Sequence, residues 1–266
     1  KEVTDWFKNG KTEDWIKIHH DGRSKSSHIT TTPNHEIYTP DGKVQAGDLE
    51  VGDEIITSKP AINSEQHDLI FGSLLGDGSM MDIDESKNPL FQCVHSAKQR
   101  AYVEFKKSIL GQLSGTVQTS TGRFDDDHPE TEKVHLPTKS LPSLQQFDVL
   151  YDEDARKVVP PRVLDLSARG VAIWFCDDGS TSFSQYQRPR VTFHTQSFTE
   201  KECEYLADLL EKHTNDKPTI ADRPKGYRLE LGADASEALF EKISSYVPPS
   251  MEYKLPEKHR TGDHEW

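Results

Sequence analysis

At 266 residues and 33% hydrophobic content, the chain can build one large or two smaller cores. No run approaches the roughly 20 apolar residues of a membrane span, and Lys1-Glu-Val-Thr-Asp5 lacks a signal peptide's charged-then-apolar order. Cys93, Cys176 and Cys203 are odd in number and show no Cys-x-x-Cys spacing, which argues against a disulfide framework or a zinc ribbon and points to a reducing, intracellular setting. The formal net charge of -13 opposes a protein that coats nucleic acid non-specifically, because phosphate neutralisation needs a basic surface. Charge is segregated, however. Basic residues gather at Arg188/Arg190 and Arg223/Lys225/Arg228, and acidic ones at 125–127, 152–154 and 200–204.

In chain order, Trp15 to Thr57 alternates short β-like runs with turn signals: Ile16–Ile18, Glu36–Tyr38, an Asp41-Gly42 turn, and Val51–Ile56. This reads as a small β-rich module. Residues 58–64 read as a linker that offers Ser64 as a helix N-cap, so a boundary is expected there. The only methionines are Met80, Met81 and Met251, so a fragment or insert of a longer polypeptide is expected. Helices are expected at Gln99–Leu113, Ser143–Leu150, Glu200–His213 and Ala235–Tyr246. A strand over Arg188–Gln196 should place Arg188, Arg190, Thr192, His194 and Gln196 on one face, with Val191 and Phe193 on the other.

The most informative feature is a repetition. Ile70-Phe-Gly-Ser-Leu-Leu-Gly-Asp77-Gly78 and Val171-Ala-Ile-Trp-Phe-Cys-Asp-Asp178-Gly179 each end an apolar helix-like run with Asp-Gly, and their aspartates stand 101 positions apart. Each is followed by a lysine leading into a proline, Lys157-Val-Val-Pro160 and Lys254-Leu-Pro256, at gaps of 80 and 76 residues. The stretch from about Gln66 to Pro256 therefore reads as two diverged copies of one unit. A single Asp-Gly at a helix end is most simply a capping signal. Two such ends with matched lysines are not explained by capping.

Both motif helices are apolar nearly all round and belong in a core, packed on each other with Gly72 and Ala172 permitting close approach. Asp77 and Asp178 would then emerge together at one end of the pair. A helix C-terminus carries roughly half a negative charge, so carboxylates there call for a cation. Few protein oxygens around a hard divalent ion suit Mg²⁺, with the rest of its shell taken from water and phosphate. Paired carboxylates of this kind suit hydrolysis of a phosphodiester, with Lys157 and Lys254 supplying positive charge near the transition state or orienting the attacking water.

These residues resemble the two-motif, single-chain LAGLIDADG homing endonucleases. Motif one matches at Gly72, Leu74, Asp77 and Gly78. Motif two shows the Trp174-Phe-x-Asp-Asp-Gly-Ser180 form, and Thr195-Gln-Ser-Phe-Thr199 with Glu204-Tyr-Leu206 is also similar to the family. Ile173 departs from the pattern, standing where the motif has a small glycine. The resemblance implies an α/β (α+β) fold of two pseudo-symmetric αββαββα repeats forming a saddle over the DNA major groove. It further implies a monomer that makes metal-dependent double-strand cuts in a long asymmetric DNA target; no membrane partner is expected, since no apolar run is long enough to span one. Carried over by position, Asp77 and Asp178 are metal ligands for Mg²⁺, with Mn²⁺ able to substitute, and Lys157 and Lys254 are active-site bases or charges. Strand side chains would read bases: Arg188, Arg190, Gln196 and Arg228 in the second half, Gln92, Arg123 and Lys133 in the first.

Thr32-Pro-Asn-His35-Glu-Ile-Tyr-Thr39, followed by Gly42–Ala46 and Val51-Gly-Asp53, resembles the internal part of an intein (Hint-like) splicing domain, in which a Thr-x-x-His signature assists an acyl shift. The chain starts with Lys1 and has no asparagine after Asn215, so Thr32 and His35 are expected to be vestigial. The organisation expected is 1–60 partial splicing segment, 61–165 first repeat, 166–256 second repeat and 257–266 tail. The competing expectations are a non-cleaving nucleic-acid-binding maturase or regulator and a remnant of a protein-splicing element.

Overall fold

The computed structural model describes residues 14–19, 28–39, 42–55, 62–81, 88–122, 130–160, 165–183, 188–262 and 264–266. The chain divides into two compact units, Lys1–Lys59 and Pro60–Trp266.

In the first unit β1 (Ile16–His19) pairs antiparallel with β2 (His28–Thr31), and β3 (Glu36–Thr39) with β4 (Gly42–Gln45), ahead of a 3-10 turn at Ala46–Asp48. Ile37 and Ala46 are its buried apolar residues among those described. The expected strand at Val51–Ile56 does not form over 51–55, and Ile56 lies outside the described residues. A turn replaces it: Asp53 N–H donates to the Glu50 carbonyl at 3.2 Å, the Asp53 carboxylate accepts from Glu50 N–H at 2.8 Å, and Gly52 takes φ +112°. An aspartate that bonds its own local backbone competes with any strand ladder.

The second unit begins with α1 (Ser64–Leu75). Its N-cap is Asn63, one residue before the expected Ser64. Asn63 Oδ1 accepts from Gln66 N–H at 2.8 Å while Gln66 Oε1 accepts from Asn63 N–H at 3.1 Å, a reciprocal capping box. After α1 come β5 (Gly78–Met81), β6 (Leu90–Ser96), α2 (Arg100–Leu110), β7 (Gln118–Gly122), β8 (Thr131–Pro137) and a 3-10 segment, Pro142–Leu150. The second half repeats the order: α3 (Ala168–Asp178), β9 (Gly179–Phe183), β10 (Pro189–Phe193), α4 (Glu200–Thr214), β11 (Thr219–Arg223), β12 (Gly226–Glu230) and α5 (Ala233–Ile243).

The sheets are antiparallel and share one topology, β5-β6-β8-β7 and β9-β10-β12-β11. The motif glycines hold matching registers, Gly78 opposite Cys93 and Gly179 opposite Phe193. This is the expected mixed α/β architecture of two αββαββα repeats, with one difference in the first. Its closing helical element is 3-10 rather than α, and Leu144, Phe147 and Leu150, all buried, recur every third residue. That spacing faces one side of a helix with three residues per turn, and Pro142 starts it.

One core joins both halves. α1 and α3 pack face to face at its centre, with Leu69, Ile70, Ile173 and Trp174 fully buried. The small residue opposite Gly72 is Gly170, not Ala172: a Cβ at Gly72 would overlap the Gly170 carbonyl oxygen and lie 3.0 Å from Ile173 Cβ. The missing Cβ at Gly72 thus leaves room for both the Gly170 backbone and the Ile173 side chain.

Candidate active site at the helix-pair end

α1 stops at Gly76, and α3 runs two positions further by motif alignment, ending at Asp177 and Asp178. Asp77 leads directly into β5 and Asp178 into β9, so each carboxylate sits where a buried helix hands the chain to a strand. A Cβ on Gly76 would collide with Asp177 Cβ, which places the two helix ends in contact. Asp77 stands close enough to Asp178 to raise its pKa. Burial and then Asp177 push Asp77 up to about 6, while burial and then Asp77 push Asp178 up to about 7. Solvent still reaches 42% of the Asp77 side chain, so water moderates that push and leaves the carboxylate open to a ligand.

The two lysines occupy equivalent positions. Lys157, held by a bridge between its backbone and Tyr151, donates from Nζ to the Gly76 carbonyl at 2.8 Å. Lys254 ends a 3-10 segment, Pro249–Lys254, and donates to the Cys176 carbonyl at 2.6 Å, with Asp177 O at 3.3 Å. Each ammonium satisfies orphan carbonyls at the end of its own motif helix, where the helix dipole favours a cation. Burial lowers the pKa of both; Asp178, Asp177 and Asp77 oppose it at Lys157, and Cys176, Asp177 and Asp77 at Lys254. All four sequence-derived groups therefore meet at one end of the helix pair.

A second set of charged groups lies beneath them. Asp177, fully buried, accepts from Lys106 Nζ at 2.8 and 2.9 Å and from Tyr102 OH at 2.8 Å. Lys106 also donates to Ser73 Oγ at 2.8 Å and faces His95 Nε2 at 3.2 Å. Burial alone would raise Asp177 and lower Lys106, but their mutual attraction outweighs it, holding Asp177 below and Lys106 above the ordinary range. Burial and the Lys106 charge push His95 down to about 4. Among the described residues, Asp77, His95 and Asp177 bring potential metal-ligand atoms within 4.8 Å of one another. Asp177 already carries the Lys106 ammonium, which leaves Asp77 and Asp178 as the carboxylates without a lysine bonded to their own oxygens among the contacts described. Two carboxylates raised first by burial and then by neighbouring negative charge form a donor set that fits a hard divalent cation.

Lys106, Asp177 and His95 were not singled out from the sequence, yet signals exist. Lys106 stands on the buried Tyr102/Lys106/Leu110 stripe of α2, and His95 continues the buried Phe91/Cys93 face of β6.

The strand residues are distributed less evenly than expected. Gln92 (β6), Lys133 (β8), Arg190 (β10) and Arg228 (β12) lie in the sheets, Arg190 exposed and the others half-buried. Arg228 Nε is buried without a hydrogen-bond partner. β10 ends at Phe193, so Gln196 falls in the turn closed by Phe198 N–H on the Thr195 carbonyl. Arg188 precedes the strand and pairs with Asp234. Arg123 lies outside the described residues. Thr32 and His35 flank a turn in the first unit, Thr32 donating to Asn34 Oδ1 at 2.7 Å and His35 exposed.

Comparison with known proteins agrees with this architecture. The chain is 30% identical over 277 residues to Protein RecA of Mycobacterium shimoidei, covering 98% of this chain and 63% of that protein. It thus spans less than two thirds of that relative's length. DNA endonuclease I-ChuI of Chlamydomonas applanata is 27% identical over 215 residues, 75% of this chain and 98% of the relative. The homing endonuclease I-WcaI, solved bound to its DNA recognition sequence, superposes with a TM-score of 0.65 at 20% identity, over 74% of this chain and 88% of that one. No helix among the described residues is long and apolar enough to cross a membrane. Residues 67–239, which hold α3, all but the first three residues of α1 and both four-stranded sheets, match the LAGLIDADG DNA endonuclease family, and the chain belongs to it.

Proposed function

We propose that this chain is a site-specific DNA endonuclease that hydrolyses one phosphodiester in each strand of a long, asymmetric duplex, acting as a monomer. The observation that carries the reading is the duplicated pair at the helix ends, Asp77 with Lys157 and Asp178 with Lys254, joined in a single core. Asp77 and Asp178 would hold the divalent cation, Mg²⁺ or Mn²⁺ in its place, which supplies Lewis acidity and a water of lowered pKa when bound. Lys157 and Lys254, kept in place by backbone carbonyls, present fixed positive charge to a phosphate whose negative charge grows in the transition state. Cost of reorganisation is low because both ammonium groups are already oriented. Gln92, Lys133, Arg190 and Arg228 in the sheets, with Arg188 and Gln196 beside β10, are the candidates for base and phosphate contacts, and Arg123 is a further candidate from the sequence.

The test is to incubate the protein with Mg²⁺ and a library of long duplexes, then repeat with Asp77→Asn and Asp178→Asn. Cut products from the parent, lost in either variant with DNA affinity kept, are expected. Binding without cutting by the parent would favour the non-cleaving regulator instead. Equal cutting by the double asparagine variant would remove the aspartates from the chemistry.

A further reading concerns the first unit. Similarity to Protein RecA relatives extends over 98% of this chain, so it includes the Thr32/His35 segment as well as the endonuclease half. An endonuclease-family segment within a polypeptide bearing another protein's name favours an intein origin. Mass analysis of the expressed parent polypeptide would reveal excision, and an intact chain under all conditions would leave only a remnant.

A further inference from the structure

We propose that His95, Lys106 and Asp177 form a buried positioning chain that orients Asp77 but not Asp178, so that the two halves of the site cut their strands with unequal dependence on it. The inference rests on the endonuclease reading above.

An ammonium group has three donors and no acceptor, so Lys106 Nζ, 3.2 Å from His95 Nε2, requires a lone pair on that nitrogen. The ring proton of the neutral imidazole therefore sits on Nδ1. That nitrogen is buried, has no partner of good hydrogen-bond geometry, and lies 3.4 Å from Asp77 Oδ2. The Gln99 side chain also hydrogen-bonds the ring, raising the His95 pKa, while its amide nitrogen faces Met251 Sδ at 4.0 Å, so Asp77 shares this side of the imidazole with one neutral partner. Lys106 is itself fixed by both Asp177 oxygens and by Ser73 Oγ, and Asp177 by Tyr102 OH. A carboxylate of the second repeat thus determines, through two buried side chains, which proton a carboxylate of the first repeat meets.

The second half lacks the chain. Gly78 pairs with Cys93 and Gly179 with Phe193, so His95 corresponds to Thr195, two residues beyond each pair. Lys106 and Leu206 are both seventh in their helices, and Asp177 corresponds to Gly76. Thr195 is buried but donates to the Tyr227 carbonyl at 3.0 Å, and Leu206 belongs to the apolar core. Asp178 consequently has no counterpart of His95. A carboxylate held in one orientation enters the reaction pre-organised, and its pseudo-symmetric partner does not receive that help from the same source.

Two measurements test this. Long-range proton–nitrogen NMR of the metal-free, unaltered chain should place the His95 proton on Nδ1; a proton on Nε2 overturns the proposal. On a duplex recovered from the library and end-labelled on each strand separately, His95→Leu should slow one cut by on the order of tenfold relative to the other and accumulate nicked duplex. His95→Asn, whose amide keeps a donor near the Nδ1 position, should restore the ratio to within about threefold. Equal slowing of both cuts, or of neither, overturns it, as does an asymmetry that His95→Asn fails to relieve. If the parent cuts neither strand, the endonuclease reading falls, while the NMR result still decides the proton's position, which needs no variant to fold.

Discussion

At Asp77 and Asp178 the folded chain works against its own charge. Both carboxyls titrate near 3.8 when unconstrained and at about 6 and about 7 in the fold. Between those limits the folded state holds protons that the unfolded state has released, so stability falls as pH rises from about 4 toward about 7 and stays lower above that. The metal-free protein should therefore lose melting temperature over this window more steeply than the Asp77→Asn/Asp178→Asn double variant. Calorimetry across a pH series checks this, and parallel curves would count against it. If these carboxylates hold a cation as proposed, its binding would expel the same protons, and Mg²⁺ affinity is expected to rise through the window. Lys106 presents the opposite case. Lys106→Met would strand Asp177 as an unpaired charge in the core, at a cost of about 3–5 kcal/mol in urea unfolding. A loss below about 1 kcal/mol would show that Asp177 finds another partner.

The two motif helices act as an element pair whose separation is fixed by glycine. At Gly72 an added methyl meets the backbone oxygen of Gly170, which cannot swing aside. At Gly170 it meets Leu166 Cδ1 and Cγ, a buried side chain that would have to repack, with the Asp68 backbone oxygen at 3.3 Å. Alanine gains up to about 1 kcal/mol in helix propensity at either site, whereas overpacking a core costs about 1–3 kcal/mol or more. Gly72→Ala should thus be clearly destabilising and Gly170→Ala milder, measured as shifts in urea midpoint; the reverse order would contradict the packing described. Moving these helices apart would also separate Gly76 from Asp177, so activity should fall with stability in Gly72→Ala.

For the whole molecule the apparent conflict is a net charge of -13 in a family whose relatives meet DNA. Affinity for a polyanion follows the local contact face rather than the sum, since screening confines charge to about 10 Å at moderate salt. Arg190, exposed on β10, is the clearest candidate on that face, whereas Arg188 pairs with Asp234. We expect Arg190→Ala to weaken specific binding by about 1–3 kcal/mol and Arg188→Ala to do less. Binding isotherms at several salt concentrations would separate a lost base contact, which leaves the salt slope unchanged, from a lost phosphate contact, which lowers it by about one.

What the chain order determines by itself is the duplication and the acid and lysine positions it repeats. Apolar runs ending in Asp77 and Asp178, with lysines at nearly equal distances, are local patterns, and local patterns survive without coordinates because helix periodicity and turn chemistry act over a few residues. The same holds for α4, whose Thr199 and Glu202 capping box and left-handed Asn215 bracket it in the sequence. Tertiary structure alone decided the rest. It selected Gly170 over Ala172 as the partner of Gly72, cut β10 short of Gln196, and assigned Arg188 to Asp234. It also brought Lys106, 33 residues from Ser73 and 71 from Asp177, into contact with both. A buried charge is intelligible only with its partner, and partners that distant are set by how helices and sheets pack rather than by the spacing of residues along the chain.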